Sequence, residues 1–228
     1  MLAMRILAGT AASLANAVCD VIVTISREYG AAGLAVADGV AHALGYELFA
    51  DALKAYVAAR LGTSPDEVDQ RASSEQSLPE RMLAGLGEGT AEVQSPVAPR
   101  LPDAFDEDVR REIERAIRER AEGGNVVIVG RNAGAVLGPR PDLLRVFLTA
   151  PVQWRAVRVA ASFDQSLTAA LADLERVDAG RAKIAKERYK IKWSDARAYD
   201  LALNVARVGV EGAVDLIVAA VRAADVPR

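Results

Sequence analysis

The stretch Val21-Ile22-Val23-Thr24-Ile25-Ser26-Arg27-Glu28-Tyr29-Gly30-Ala31-Ala32-Gly33-Leu34-Ala35 changes character twice. Residues 21–25 are all β-branched, which suits a strand packed on both faces. The chain then turns small and polar, and from Gly33 apolar residues recur at 34, 36, 37, 40, 41 and 44 before Gly45. That spacing predicts a helix over 33–44 with glycine as its stop. Strand, tight turn and helix in this order open a parallel α/β unit. The turn falls at the carboxyl end of the strand, where open α/β sheets bind ligands.

Working outward, four more runs read as strands: Tyr46-Glu47-Leu48-Phe49, Asn125–Val129, Leu144–Leu148 and Leu201–Val205. Helices are predicted over 51–61, 106–122, 151–161, 166–188 and 210–223, with a short one near 79–86. Another starts at Ser64-Pro65-Asp66-Glu67, which offers an N-cap, a proline at the first helical position and a capping-box glutamate. Apolar strands alternating with amphipathic helices predict a three-layer α/β fold, with about five parallel strands and helices on both faces. Residues 73–102, rich in Ser, Gly, Glu and Pro, are expected to form a flexible insertion in this domain of residues 21–228. Residues 1–20 read as an N-terminal arm or short helix. Their apolar run is broken by Gly9, Thr10, Ser13 and Asn16, which spoils it as a secretion signal.

Composition narrows the function. With 51% apolar and 26% charged residues the chain is an ordinary globular sequence, and its net charge of −3 gives no global attraction to nucleic acid or anionic lipid. The single cysteine, Cys19, excludes an internal disulfide and a cysteine-rich metal site, and the single histidine, His42, excludes a histidine cluster. No run of roughly 20 apolar residues predicts a membrane span. A cytoplasmic protein with a small-molecule ligand is expected, and the 1–20 and 73–102 segments are the places for a protein partner.

Three segments carry candidate chemistry. The turn 26–33 is rich in Gly and Ala, which let backbone N–H groups approach an anion at a helix N-terminus. Glycines at a strand–helix junction serve packing as readily. The turn Gly130-Arg131-Asn132-Ala133-Gly134 leaves the third strand with an arginine suited to bidentate phosphate contact. Arg155 and Arg158, followed by Asp178, Arg181, Lys183, Lys186, Arg188, Lys190 and Lys192, make 151–192 a basic helical region. It reads as a lid over polyphosphate or as a solvated face.

Taken together, these segments resemble the cytidylate-kinase-like family of P-loop nucleoside monophosphate kinases. The resemblance rests on residues 21–30 and 126–134, the strand Val146-Phe147-Leu148-Thr149-Ala150, the run from Trp193-Ser194-Asp195 to Tyr199-Asp200-Leu201-Ala202-Leu203-Asn204, and Gly209–Asp215. It spans roughly residues 20–220 and implies a P-loop NTPase-type fold with ATP and Mg²⁺ as cofactors. The implied reaction is transfer of the γ-phosphoryl group to CMP or a related monophosphate. Arg27, Tyr29, Gly30, Ala31, Ala32, Gly33, Leu34 and Ala35, with Arg155 and Arg158, would then hold ATP. Arg131, Asp178 and Arg181 would hold the acceptor, and Arg131, Arg181 and Arg188 would act on the transferred group. Asp178-Ala179-Gly180-Arg181 resembles the Asp-x-x-Arg element that cytidylate kinases use near the acceptor.

The sequence also departs from that pattern. A complete P-loop follows its last glycine with Lys and then Ser or Thr, for phosphate and for Mg²⁺. Here Leu34 and Ala35 stand there, Glu28 replaces the first glycine, and Val129 precedes Gly130-Arg131 where cytidylate kinases carry an aspartate that serves the metal. The usual Mg²⁺ ligands are thus missing, and no protein metal site is expected. Three readings stay open: a phosphotransferase of reduced or altered activity, an inactive nucleotide-sensing module, and a partner-binding scaffold on the same fold.

Overall fold

β-Branched and aliphatic residues place five short strands side by side: β1 (Ile22–Arg27), β2 (Glu47–Phe49), β3 (Val126–Val129), β4 (Leu143–Thr149) and β5 (Leu201–Asn204). The computed structural model describes residues 20–50, 58–60, 62, 64 and 104–224. Residues 1–19 of the arm, the 73–102 insertion, the helix expected to follow Ser64 and the one near 79–86 lie outside these residues. Of the helix expected over 51–61, residues 58–60 are described and are helical.

The sheet runs β2-β3-β1-β4-β5 and every pairing is parallel. Ile22 lies opposite Val126 on one side and Leu143 on the other, so β1 is central and both its ladders are filled. The helices are α1 (Gly33–Leu44), α2 (Ala104–Ala121), α3 (Ala133–Leu137), α4 (Val152–Ser162), α5 (Leu167–Tyr189) and α6 (Val205–Ala223). From β1 the chain moves to the β2 edge through α1, then returns across the sheet through α2 and α3. Because parallel crossovers are right-handed, reversing direction changes the face on which the helices lie.

Strand residues alternate between the two faces as the pleat requires. Val23, Ile25, Val127, Val129, Val146 and Leu148 pack with Val36, Val40, Ile217 and Val221 of α1 and α6. Ile22, Val126, Ile128 and Leu143 pack with Val109, Ile113, Ile117 and Val136 of α2 and α3. Three layers result, and this is the P-loop NTPase-type α/β fold. α1 and α6 cross closely at Gly39, where a Cβ would stand 2.7 Å from Val214 Cγ2. Two elements depart most from the sequence expectation. β5 ends at Asn204, because the chain turns helical at Val205 and breaks at Gly209 (φ 77, ψ 171) before resuming. α3 has only five residues, too short for a 3.6-residue period to register.

Beyond β4 the chain forms a pair of packed helices, α4 and α5, sealed by Ala156, Val159, Ala170 and Leu174. The segment after α5 folds back on β4. Phe147 meets the Trp193 ring edge-on at 5.4 Å and stacks on Tyr199 at 4.8 Å.

Candidate phosphate-binding site

The turn between β1 and α1 lies at the carboxyl edge of the sheet centre. Gly30 adopts φ +78, and a Cβ there would fall 2.9 Å from Val159 Cγ2 and 3.1 Å from the Arg155 carbonyl oxygen. Only glycine satisfies both the left-handed backbone and the close approach of α4. Ala32, also left-handed, precedes α1, whose N-terminus has no side-chain cap and no acidic residue in its first turn. Leu34 (59% exposed) and Ala35 then occupy the exposed side of that first turn.

α4 and α5 grip the same turn. Arg155 is only 4% exposed. Its Nε donates to the Ala150 carbonyl at 2.9 Å, and its Nη1 donates to the Tyr29 carbonyl at 3.0 Å and to Asp178 Oδ2 at 2.6 Å. Asp178 Oδ1 accepts the Tyr29 N–H at 2.8 Å. Burial pushes the Asp178 carboxyl above its usual range, against the pull of the Tyr29 N–H and Arg155. Arg181 Nη1 donates to the Arg27 carbonyl at 2.9 Å, and its guanidinium lies 5.9 Å from the Tyr29 ring centre. Glu28 turns away from the helix N-terminus: its Oε2 accepts from Thr149 Oγ1 at 2.6 Å and from the Ala150 N–H at 3.1 Å.

The turn after β3 meets this one through Arg27. Gly130, Arg131 and Asn132 are consecutively left-handed, with φ of 74, 53 and 52. The Gly130 N–H donates to the Ile25 carbonyl at 2.9 Å, which fixes the turn beside β1. The Arg27 side chain crosses from one turn to the other: a Cβ on Gly33 would lie 2.6 Å from its Cγ, and one on Gly130 would overlap its Nη1. Beside Asn132 a cleft of about 130 Å³ opens, lined by Ser26, Gly134, Arg145 and Tyr199 among others.

Of the candidates, Arg27, Tyr29, Gly30–Ala35, Arg131, Arg155, Asp178 and Arg181 converge on these two turns. Arg158 lies apart, exposed and stacked over Trp154 at 4.7 Å. Arg188 lies apart as well. It bonds Glu107 at 2.8 and 3.0 Å and Glu114 at 2.9 Å, which ties α5 to α2. Thr149 and Ala150 end one of the strands that carry the resemblance but were not among the candidate site residues; their proximity to Glu28 follows from β4 lying beside β1.

Protein-held Mg²⁺ is normally bound through one or two carboxylates together with phosphates. At this site Leu34 and Ala35 offer no side-chain oxygen, Val129 stands before Gly130, and both Asp178 oxygens accept N–H donors. Among the described residues no group of three or more His, Cys, Asp and Glu is arranged to hold a metal. None of the helices of the described residues is long and apolar enough to cross a membrane.

A cytidylate kinase of Halobacterium salinarum is 32% identical over 124 residues, 54% of this chain and 64% of that protein. One of Natronomonas pharaonis is 29% identical over 209 residues, 89% of this chain and 90% of its own length. The chain thus spans just under two thirds of the first relative and most of the second. A crystal structure of an uncharacterized protein from Eubacterium ventriosum superposes with a TM-score of 0.63 at 22% identity, over 89% of this chain and 99% of that one, a likeness of fold. The profile of the cytidylate kinase-like family matches residues 22–207, and the chain belongs to that family.

Proposed function

We propose that this protein binds ATP at the turn 28–35 and transfers its γ-phosphoryl group to CMP or a related nucleoside monophosphate held at Arg131. The observation that carries this reading is the joining of the two turns by one arginine. Arg27 links the N-terminus of α1 to Gly130, and Arg131 follows directly. Donor and acceptor phosphates at those turns would be adjacent. Phosphoryl transfer needs little from a protein beyond such positioning and cancellation of charge. In this reading α4 and α5 form the lid. Arg155 and Asp178 set the shape of the loop, Arg181 spans lid and loop, and Arg158 and Arg188 stand at the lid's outer side and its hinge with α2. Mg²⁺, when present, arrives with the nucleotide and shields its phosphate charge.

The proposed test is thermal unfolding with millimolar CMP, CDP or ATP, followed by an assay for ADP release from ATP and CMP. A ligand at about 100 times its dissociation constant stabilises by about 2.7 kcal/mol. Arg131→Ala should abolish the CMP response, keep the ATP response, and lower turnover by about 100-fold or more. Loss of neither would refute the acceptor assignment.

A second reading is favoured by a specific observation. Leu34 and Ala35 remove the lysine and the hydroxyl, and Asp178 already accepts a loop N–H that a phosphate could use. A nucleotide-sensing module would then bind ATP or CMP without turnover. Saturable stabilisation with no ADP release selects it.

A further inference from the structure

The position that a P-loop lysine would fill carries Leu34, yet a cation stands nearby by another route. Arg27 is the last residue of β1, one residue before the turn. Its stem lies across Gly33, so closely that a Cβ there would stand 2.6 Å from Cγ and 3.0 Å from Cδ. Its tip reaches Gly130, where a Cβ would overlap Nη1. Two glycines on two separate turns thus leave room for one arginine side chain, Gly33 for its stem and Gly130 for its guanidinium. The backbone around it is fixed as well. The Arg27 carbonyl accepts from Arg181, the Glu28 N–H donates to the Leu148 carbonyl at 2.9 Å, and the Gly130 N–H is held by Ile25. A side chain given this path is placed by design of the two turns rather than by surface chance.

We infer that Arg27 supplies, from the end of β1, the cation at the transferred phosphoryl group that the lysine supplies in a complete P-loop, with Gly33 and Gly130 as the walls of its slot. This inference rests on the kinase reading and names the residue that would make it work. In the transfer, an oxygen of the acceptor phosphate forms a bond to the γ-phosphorus. The bond from that phosphorus to the β,γ-bridging oxygen breaks, and ADP leaves with the electron pair. Arg27 exchanges no proton; it stays cationic and offsets charge on the equatorial oxygens. Its planar fork suits two oxygens at once, where an ammonium acts as a point charge.

The test uses the full chain and inorganic tripolyphosphate as a probe of the donor side, with CMP as a probe of the acceptor side, both titrated calorimetrically. Arg27→Gln should weaken tripolyphosphate binding by about tenfold or more and leave CMP affinity within about threefold. Where turnover is measurable, kcat should fall by about 100-fold or more. Unchanged tripolyphosphate affinity in a folded Arg27→Gln variant overturns the inference and leaves the kinase reading standing. If that variant does not fold, Arg27→Lys keeps the stem over Gly33 and a positive charge but not the fork. It should bind tripolyphosphate about tenfold more weakly, and wild-type affinity would overturn the inference. If the unaltered protein binds CMP but no polyphosphate, the inference and the ATP half of the kinase reading fail together, while the acceptor half survives.

Discussion

Ala32 holds its backbone at φ 56, ψ 27, in the left-handed region, immediately before Gly33 starts α1. For a residue with a Cβ that conformation costs roughly 1–2 kcal/mol. Ala32→Gly should therefore raise stability by about 1 kcal/mol, the relief being partly offset by the freer unfolded chain. Urea unfolding reads it as a higher midpoint at constant slope, and an equal or lower midpoint would mean that the turn is not strained at Ala32. The glycines of this turn were legible in the sequence as turn formers. What fills the space they leave was not. Glu28 is the clearest instance: its place in the motif puts a carboxylate among phosphates, whereas the fold turns it to Thr149, 121 residues away. Only the sheet order, with β4 beside β1, brings those side chains together.

At the scale of elements, strands and long helices were readable because burial imposes a period of 2 or 3.6 on them, while their mutual contacts were not. The basic run of α4 and α5 looks uniform in sequence, and the fold divides it. Arg155 turns inward to the loop, Arg158 outward to Trp154, and Arg188 toward α2. No one-dimensional pattern separates an arginine that ties helices together from one that waits for a ligand. The division gives a prediction. Arg155→Met keeps most of the buried stem but strands Asp178, whose side chain is 17% exposed, with its charge less well paired. Breaking a buried pair from one side costs about 3–5 kcal/mol. Urea unfolding of Arg155→Met should show a loss near the low end, about 3 kcal/mol, because Arg181 still lies 3.7 Å from Asp178. A loss below about 1 kcal/mol would show that the Tyr29 N–H and Arg181 suffice to hold the Asp178 carboxylate without Arg155.

For the molecule as a whole, acid stability depends on which carboxylates the fold has made more acidic. Glu107 is held below its ordinary value of 4.5 by the hydrogen bonds of Arg188. At Glu114 burial works to raise the value, but Arg188 and Tyr189 outweigh it and the net shift is downward. Asp142, bonded by Arg140, is lowered from 3.8; at Asp200 burial opposes, and the Arg145 hydrogen bonds still win. A carboxylate with a lowered folded value contributes stability that is present above its unfolded value and is lost as pH falls through the folded one. Asp178 runs the other way: its raised value makes its contribution complete below 3.8 and lost as pH rises through the folded value. With Asp195, held at about 2 by Arg197, five lowered carboxylates among the described residues oppose one, so stability should hold from neutrality down to about pH 4.5 and decline steeply below it. Arg188→Met separates the α2–α5 tie from the rest, because that one arginine lowers both Glu107 and Glu114. Wild type should be more stable than Arg188→Met at pH 7, and the gap should begin to narrow below about 4.5 and close only under the lowered folded values, where both glutamates are protonated in either protein. A gap that stays constant from pH 7 to pH 3 would mean that Arg188 steadies α5 through its aliphatic stem, and that the charge network joining α5 to α2 contributes nothing to the fold.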